Sequence, residues 1–210
     1  NPGEFHGLYM EQAPGARAGA AARAGGHDNA SFHVGDVTEL PFEDGLFDVA
    51  HCHAVLMHVP DTERVLSEVR RVLRPGGIIC SREVIVESCF LEPSSEHTLA
   101  AWATFTGLLS ANGGHPQMGK ELKGRFLAAG FTDIRSSGSF DFFGTPEDVA
   151  FLHAFIADWF YSPQVMEAVT KYGLATQQQF DEWRSDHDRW KDEDGAVGAL
   201  AFAEAIGRKP

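Results

Sequence analysis

The stretch that decides the fold runs from residue 31 to residue 80 and contains three phrases: SFHVGDVTELPF (31–42), FDVAHCHAVLMHVPD (47–61) and VRRVLRPGGIIC (69–80). In the first phrase apolar and polar residues alternate up to Gly35, and residues 47–55 form an apolar run interrupted by histidines. Both patterns predict buried strands of the kind found in parallel sheets.

A helix is predicted between the second of these strands and the next one. Asp61 and Thr62 are suited to cap it, and its apolar residues recur at helical spacing: Val65, Leu66, Val69, Val72 and Leu73. The Pro-Gly-Gly at 75–77 is predicted to end the helix before a strand that begins at Ile78. Strand, helix and strand in this order imply a right-handed crossover, so the predicted class is α/β.

Composition limits the possible functions. The chain has 210 residues, 43% of them hydrophobic, which suffices for one sizeable core. Its formal charge of −13 repels phosphate backbones and anionic lipid, so we expect a small-molecule or protein substrate, with no nucleic acid and no membrane. Cys52, Cys80 and Cys89 lack metal-site spacing and suit free thiols. Since no membrane-spanning stretch or leader is recognisable, a cytoplasmic location is predicted.

Four short motifs carry a resemblance to a known family: GDV with LPF (35–42), FDV (47–49), LMHVPD (56–61) and RVLRPGG (71–77). In order and spacing they resemble the class I S-adenosylmethionine-dependent methyltransferases, in particular the type 11 group that contains ubiquinone-biosynthesis enzymes. The resemblance implies a Rossmann-like sheet that is mostly parallel with an antiparallel last strand. It also implies methyl transfer from S-adenosylmethionine to a small-molecule O, N or C nucleophile, leaving S-adenosylhomocysteine, with no metal.

The first 26 residues lack one part that the resemblance leads us to expect. The family's sheet begins with a strand and a Gly-x-Gly-x-Gly loop, whereas residues 4–10 and 13–24 of this chain match the second strand and the helix after it. Either an upstream part is absent from this sequence, or the fold has lost cofactor binding. A fold without its central strand exposes two strand edges and an apolar face, and that cost favours the first explanation.

The resemblance also implies where the cofactor binds. Asp36 is expected to accept a hydrogen bond from the adenine amino group, with the Val37 backbone serving a ring nitrogen, although Asp36 could also simply begin a turn. Tyr9 stands where an acid for the ribose hydroxyls is expected, and Glu11 is a possible substitute. The full cofactor-binding set is Tyr9, Met10, Asp36, Val37, Cys52 and His53.

Several side chains in the central stretch carry reactive groups. His51 and His53 are predicted to share one face of their strand while Cys52 points to the other, so no metal site is expected. His53 and His115 are the candidate proton acceptors, because a neutral imidazole is the natural base near neutral pH. Glu83 is predicted either to orient the nucleophile or to be a solvated charge.

The second half of the chain is predicted to be mainly helical. Helices are expected over 96–111 and 119–129, and three more lie between Thr145 and the closing strand at 197–208. The predicted domains are a methyltransferase core at 1–144, a helical insertion or lid at 145–196, and the closing strand of the core at 197–210. An aromatic substrate pocket is predicted from four residues that could equally belong to the core: Trp102, Phe105, Trp159 and Phe160.

Two other functions remain alternatives. A nicotinamide oxidoreductase requires a glycine fingerprint that this sequence does not contain. A non-catalytic, methyltransferase-like partner protein agrees better with the missing loop and with Tyr9. A homodimer is also possible, since an unpaired strand edge beside the absent strand favours self-association.

Overall fold

The computed structural model describes residues 3–210. Its elements in chain order are β1 (Phe5–Tyr9), α1 (Gln12–Ala24), β2 (Ala30–Val34), β3 (Phe47–His53), α2 (Thr62–Val72), β4 (Leu73–Val84), β5 (Phe90–Glu92), α3 (Glu96–Ala111), α4 (Met118–Ala128), β6 (Thr132–Phe143), α5 (Pro146–Trp159), α6 (Pro163–Lys171), α7 (Gln177–Trp190) and β7 (Val197–Arg208). Single 3₁₀ turns at Leu56–His58 and Val86–Ser88 follow β3 and β4.

The strands form one small and one larger sheet. The small sheet pairs β1 with β2 in parallel. In the larger sheet β3 is parallel to β4, and β7 runs antiparallel to β4, β5 and β6. Every strand of the larger sheet except β7 therefore points the same way. The predicted α/β class, mostly parallel with an antiparallel last strand, is confirmed.

β1 is an edge strand of the small sheet, and β3 is an edge strand of the larger sheet. Within residues 3–210, β1 pairs only with β2 and β3 only with β4. Apolar side chains stay exposed on both strands, with Phe5 56% and Val49 54% accessible. The two unpaired edges expected from the sequence are present, and the sheet is divided because no strand hydrogen-bonds β1 to β3.

An aromatic cluster joins the small sheet to the larger one. His6 on β1 lies beside His33 on β2, with 3.0 Å between its Nδ1 and the Nε2 of His33. The His6 ring also meets the edges of Phe42 and Phe47 at centroid distances of 5.7 and 5.5 Å. Packing of aromatic side chains thus connects the two sheets across the gap between β1 and β3.

Helix boundaries follow the local signals in the sequence. The predicted helix at 96–111 coincides with α3, and the one at 119–129 is displaced by one residue from α4. Thr145 caps α5 as predicted and forms a capping box with Asp148, and the predicted capping box of Thr176 with Gln179 opens α7. Helix α2 ends at Val72, so the Pro-Gly-Gly lies inside β4 and not before it, and β5 was not predicted.

The two faces of the larger sheet differ. On one face Ile79, Ser81 and Ala205 are buried, and α4 packs there with Phe126 close to Ile79. The other face, called here the open face, carries His51, His53, Arg82, Glu204 and Ile206, and Ile206 is 46% exposed. The open face is where the polar groups of the larger sheet reach solvent.

The contact between α4 and the sheet depends on a glycine. A Cβ added at Gly119 lies 2.7 Å from the carbonyl oxygen of Glu83, 2.7 Å from Cγ1 of Ile85 and 3.2 Å from the backbone nitrogen of Ala203. The first and last of these atoms belong to backbone that cannot rotate away. Only glycine allows the helix to come this close to β4 and β7.

We therefore expect Gly119→Ala to lower the free energy of unfolding by about 2 kcal/mol through overpacking. Gly124 of the same helix has no atom within 4 Å of an added Cβ. As the matched control, Gly124→Ala is expected to raise stability by about 0.5–1 kcal/mol because it restricts the unfolded chain. Urea unfolding measures both, and equal effects of the two variants would contradict the close contact.

Candidate functional site

Strands β3 and β4 end side by side, with His53 paired to Arg82. Ligands of open α/β sheets bind outside the carboxyl ends of the parallel strands. The Leu56–His58 turn follows β3 directly, and β5 continues the edge of β4 along β7. This edge of the sheet is the candidate site.

A buried carboxylate holds the turn at this edge. Glu83 is completely buried and accepts hydrogen bonds from the backbone N–H groups of Val55, Leu56 and Met57 at 3.1, 3.0 and 3.1 Å. The Ser81 hydroxyl donates a fourth at 3.1 Å. Burial raises the pKa of the carboxyl group, while these four hydrogen bonds oppose that rise.

The sequence-based prediction for Glu83 was wrong in both of its forms. The side chain neither faces a substrate nor lies on a solvated rim, since it alternates in phase with Ile79 and Ser81 on the buried face. That periodicity was the signal available in the sequence. Glu83 is a structural anchor for the turn after β3.

We expect Glu83→Gln to lower the free energy of unfolding by about 2 kcal/mol, because the amide nitrogen cannot accept a hydrogen bond from a backbone N–H. Ser81→Ala removes one donor but keeps the carboxylate, so a loss of about 1 kcal/mol is expected. Chemical denaturation at neutral pH measures both. A Glu83→Gln variant as stable as the parent chain would overturn the anchoring role.

Cys52 and His53, both predicted to line the cofactor pocket, point to opposite faces of β3. Cys52 pairs with Ser81, and burial followed by the negative charge of Glu83 raises the pKa of its thiol to about 12. His53 lies on the open face and is exposed. The two side chains therefore do not share one pocket, and the Cys52 thiol stays protonated at neutral pH.

Arg82 determines which protonation form of the His53 imidazole is present. The Arg82 Nη1 atom lies 3.0 Å from Nε2 of His53, and its Nη2 donates to Asp141 at 2.7 Å. Its guanidinium also lies 3.6 Å above the ring of Phe202. Arginine can only donate, so Nε2 of His53 is an acceptor and the imidazole is neutral. Burial, Arg82 and His51 lower its pKa in that order.

His115, the second candidate base, lies away from β3 in the turn between α3 and α4. Its Nδ1 is 3.2 Å from Arg125 Nη2, and its Nε2 is 3.4 Å from the carbonyl oxygen of Pro60. Both ring nitrogens are thus engaged by the protein. The structure does not bring His53 and His115 together, and their catalytic roles remain predictions.

Asp36 begins the turn after β2. Its Oδ1 accepts hydrogen bonds from the backbone nitrogen and the hydroxyl of Thr38 at 2.8 and 2.7 Å, and these bonds lower the pKa of the exposed carboxyl group. Its Oδ2 has no hydrogen-bond partner among residues 3–210. Asp36 therefore forms the turn and still presents an ionised oxygen beside Val37, which is compatible with both expectations.

Tyr9 and Met10 lie at the end of β1. The Tyr9 ring packs 6.2 Å from the ring of Phe32, and its Cδ2 lies 3.4 Å from the Cβ position of Gly15 in α1. Met10 is 80% exposed. Glu11 precedes α1 without a side-chain capping bond. The Tyr9 ring thus faces the helix, and the carboxylate nearest the end of β1 is that of Glu11.

Two residues of α2 that the sequence analysis missed hold the loop after Asp36. Arg71 donates to the carbonyl oxygens of Phe42 and Leu40 at 2.7 and 2.9 Å, and Glu68 accepts from the Leu40 N–H at 2.9 Å. The two side chains also pair with each other at 2.8 Å. Their spacing of three on a helix was the available signal, and it resembles an ordinary surface ion pair.

The four residues of the predicted substrate pocket surround one cavity. Phe105 contacts Trp159 and Phe160 at centroid distances of 4.6 and 6.3 Å, and Trp102 at 6.0 Å. The cavity lies between α3, α5 and α7 and measures about 30 Å³, room for roughly one water molecule. Phe105 and Phe160 are also core residues.

Residues 3–210 contain neither a metal-binding cluster nor a membrane-spanning helix. Over residues 3–210, no group of three or more His, Cys, Asp or Glu side chains is arranged to hold a metal ion. Across the same residues, none of the helices combines the length and the hydropathy needed to span a bilayer.

Comparison with known proteins identifies relatives of the central stretch. Residues 6–81 match a family described as a methyltransferase domain. An uncharacterized methyltransferase of Schizosaccharomyces pombe is 33% identical over 115 residues, which are 53% of this chain and 41% of the relative. A demethylmenaquinone methyltransferase of Mycolicibacterium vanbaalenii is 32% identical over 115 residues, 49% of this chain and 50% of the relative. The chain spans about half or less of these curated relatives.

Solved structures share the fold over nearly the whole chain. The YcgJ protein of Bacillus subtilis superimposes with a TM-score of 0.61 at 16% identity, over 98% of this chain and 82% of that one. Phosphoethanolamine N-methyltransferase 2 of Haemonchus contortus was solved with S-adenosylhomocysteine. It superimposes with a TM-score of 0.56 at 19% identity, over 99% of this chain and 44% of that one. The [4+2]-cyclase SpnF superimposes with a TM-score of 0.58 at 22% identity, over 100% of this chain and 67% of that one.

The family match begins on β1 and ends within β4, so it includes β2, β3 and the turn that follows β3. The strand directions, with only β7 reversed in the larger sheet, agree with the fold of the solved structures. The cofactor of this family is S-adenosylmethionine. Residues 6–81 therefore match the methyltransferase-domain family, and solved methyltransferases share the fold of the chain.

Proposed function

We propose that this chain contributes to methyl transfer from S-adenosylmethionine to an oxygen, nitrogen or carbon atom of a small molecule. The observation that carries the proposal is the turn after β2. There Asp36 combines a lowered pKa, one oxygen fixed by Thr38 and one oxygen without a partner among residues 3–210. An ionised oxygen of this kind is a suitable acceptor for the adenine amino group.

The wall beside Asp36 supports the same assignment. Arg71 donates to the carbonyl oxygen of Leu40, and Glu68 accepts from the Leu40 N–H group. Together they hold the loop that carries Pro41. A wall held by main-chain hydrogen bonds loses little entropy when a flat ring binds against it. The adenine subsite is therefore assigned to Asp36, Val37 and this loop.

The remaining cofactor groups are assigned to the ends of β1 and β3. Tyr9 and Met10 would border the ribose, and His53, on the open face of β3, would border the methionine part, whereas Cys52 points to the opposite face. The family's site also contains a glycine loop, and the unpaired edges of β1 and β3 flank the region where such a loop is expected. The proposal for this chain therefore covers the adenine and acceptor sides of the site.

The reaction is an in-line displacement at the methyl group of a sulfonium ion. Because the sulfonium is already reactive, alignment of the nucleophile and exclusion of water supply most of the rate. His53 is the better placed proton acceptor of the two candidates, since its ring is exposed while both nitrogens of His115 are engaged. Nε2 of His53 can take a proton only after the bond to Arg82 is released.

The wider assignments are part of the same proposal. The acceptor is a small molecule, and the relatives include proteins named as sterol, tocopherol and demethylmenaquinone methyltransferases. The charge of −13 argues against nucleic acid and anionic membranes as partners.

Residues 1–144 and 197–210 would form the core, and residues 145–196 would form the lid. A homodimer would use the unpaired strand edges of β1 and β3. A cytoplasmic location suits the free thiols.

One observation favours a second candidate, a methyltransferase-like binding partner without activity. The Tyr9 ring packs against α1 and Phe32, so β1 presents no carboxylate at the position expected for ribose binding. Such a protein would keep the fold and have no affinity for the cofactor. Cofactor binding therefore separates the two candidates.

Calorimetric titration with S-adenosylhomocysteine tests the proposal. We expect Asp36→Asn to weaken binding about tenfold, because the amide keeps Oδ1 for Thr38 but replaces the free oxygen with a donor that faces the adenine amino group. Thr38→Val is the matched control. It removes the hydroxyl that binds Asp36 but leaves the carboxylate, so its affinity should stay within about twofold of the parent chain.

Three outcomes are informative. Binding that only Asp36→Asn weakens supports the adenine assignment. Equal weakening by both variants means that turn geometry matters and the free oxygen does not. No binding by the folded parent chain excludes a working cofactor site in these 210 residues and contradicts the proposal for this chain.

A further inference from the structure

The cavity between α3, α5 and α7 has walls that are almost entirely apolar and aromatic. Its lining consists of Leu91, Thr98, Ala101, Trp102, Phe105, Ile156, Trp159, Phe160, Tyr161, Trp183 and His187. The elements that form it begin at the candidate edge of the sheet, because α3 follows β5 and α5 follows the carboxyl end of β6. The cavity thus belongs to the end of the sheet where ligands bind.

Two of the polar groups that line the cavity have hydrogen-bond partners within the protein. The Thr98 hydroxyl lies 3.1 Å from Ser95 Oγ, and His187 Nε2 lies 3.2 Å from the carbonyl oxygen of His153. The indole Nε1 of Trp102 is buried and has no hydrogen-bond partner. An indole N–H can only donate, and a buried donor without an acceptor is unfavourable. Trp102 therefore offers a hydrogen bond to a ligand.

The cavity is also uncharged at neutral pH. Burial lowers the pKa of His187 to about 4, so its imidazole is neutral. Burial likewise raises the pKa of Tyr161 above its usual value, which keeps the phenol protonated. No lysine, arginine, aspartate or glutamate lines the walls. A charged ligand would lose its hydration here without gaining a counter-ion.

An exposed aromatic stripe leads to the cavity along α5. Phe151, Phe155 and Trp159 are spaced by four residues and are 64%, 49% and 36% exposed. Phe155 stacks on Trp159 at 6.3 Å, and Trp159 in turn meets Phe105 inside the cavity at 4.6 Å. Apolar surface is therefore continuous from solvent to the cavity through Trp159.

We propose that this cavity binds a neutral ring compound that carries one hydrogen-bond acceptor, with Trp102 Nε1 donating to that acceptor and the partly exposed Trp159 moving outward to admit the ring. The present volume of about 30 Å³ admits only a water-sized group, so this movement is required. The inference deepens the proposed function, on which it rests for the identity of the ring compound as methyl acceptor.

A matched pair of probes tests the hydrogen bond. 1-Tetralone is a neutral bicyclic ketone, and tetralin is the hydrocarbon of the same shape without the acceptor. Ligand-observed NMR titration of the whole chain without cofactor should show tetralone binding about tenfold more tightly than tetralin, as one hydrogen bond to a buried donor allows.

Trp102→Phe should remove that tenfold preference by weakening tetralone and leaving tetralin unchanged. The matched control is Trp183→Phe, which removes an equally large indole from the α7 side of the cavity but keeps the Trp102 donor and should keep the preference. Circular dichroism of both variants establishes that they are folded. If the folded parent chain binds neither probe up to about 1 mM, or if it binds both equally, the proposal is overturned.

The failure of this proposal and that of the proposed function are distinguishable. Tetralone binding in the absence of S-adenosylhomocysteine depends only on the cavity. The titration of the parent chain and Asp36→Asn depends only on the turn after β2. A chain that binds tetralone through Trp102 but not S-adenosylhomocysteine would retain the ring site without the cofactor site.

Discussion

The arrangement of the candidate site depends on the buried carboxylate of Glu83. Its oxygens accept the N–H groups of Val55, Leu56 and Met57, which have no strand partner once β3 has ended. Without that acceptor three backbone donors would be buried unsatisfied. The cost of desolvating one carboxylate is thereby offset by four hydrogen bonds, and the chain can turn sharply over the end of β4. The candidate ligand edge takes its shape from that turn.

The divided sheet is the second constraint. Parallel strands are normally covered on both faces and both edges, yet β1 and β3 each have a free edge within residues 3–210. The two sheets are connected through the aromatic cluster around His6 and Phe42 and through the loop whose carbonyl groups Arg71 of α2 binds. This connection keeps the proposed adenine subsite near the ends of β3 and β4. Within residues 3–210 no strand hydrogen bonds join β1 to β3, so their relative movement is opposed by this packing and by the hydrogen bonds of the loop.

Local signals in the sequence predicted most elements, and long-range contacts explain what they missed. Capping residues and apolar spacing sufficed for α3, α5 and α7, because those signals act within a few residues. Glu83 was misassigned because its three backbone partners lie 26–28 residues away in sequence. Arg71 and Glu68 were missed for the same reason, as their loop partners are 28–31 residues distant. The aromatic residues of the predicted pocket do meet, but their spacing could not show that the Trp102 donor lacks a partner.

The open face of the larger sheet limits the chemistry available to His53. Arg82 is shared among His53, Asp141 and Glu204, and its guanidinium rests on Phe202. As long as it donates to Nε2, His53 is neutral but has no free lone pair on that nitrogen. A substrate that draws Arg82 away, or a contact that strengthens its pairs with the two carboxylates, would release the imidazole as a base. The availability of His53 Nε2 as a proton acceptor therefore depends on the position of Arg82. A chain that methylates a nucleophile without a proton to lose has no need of that release.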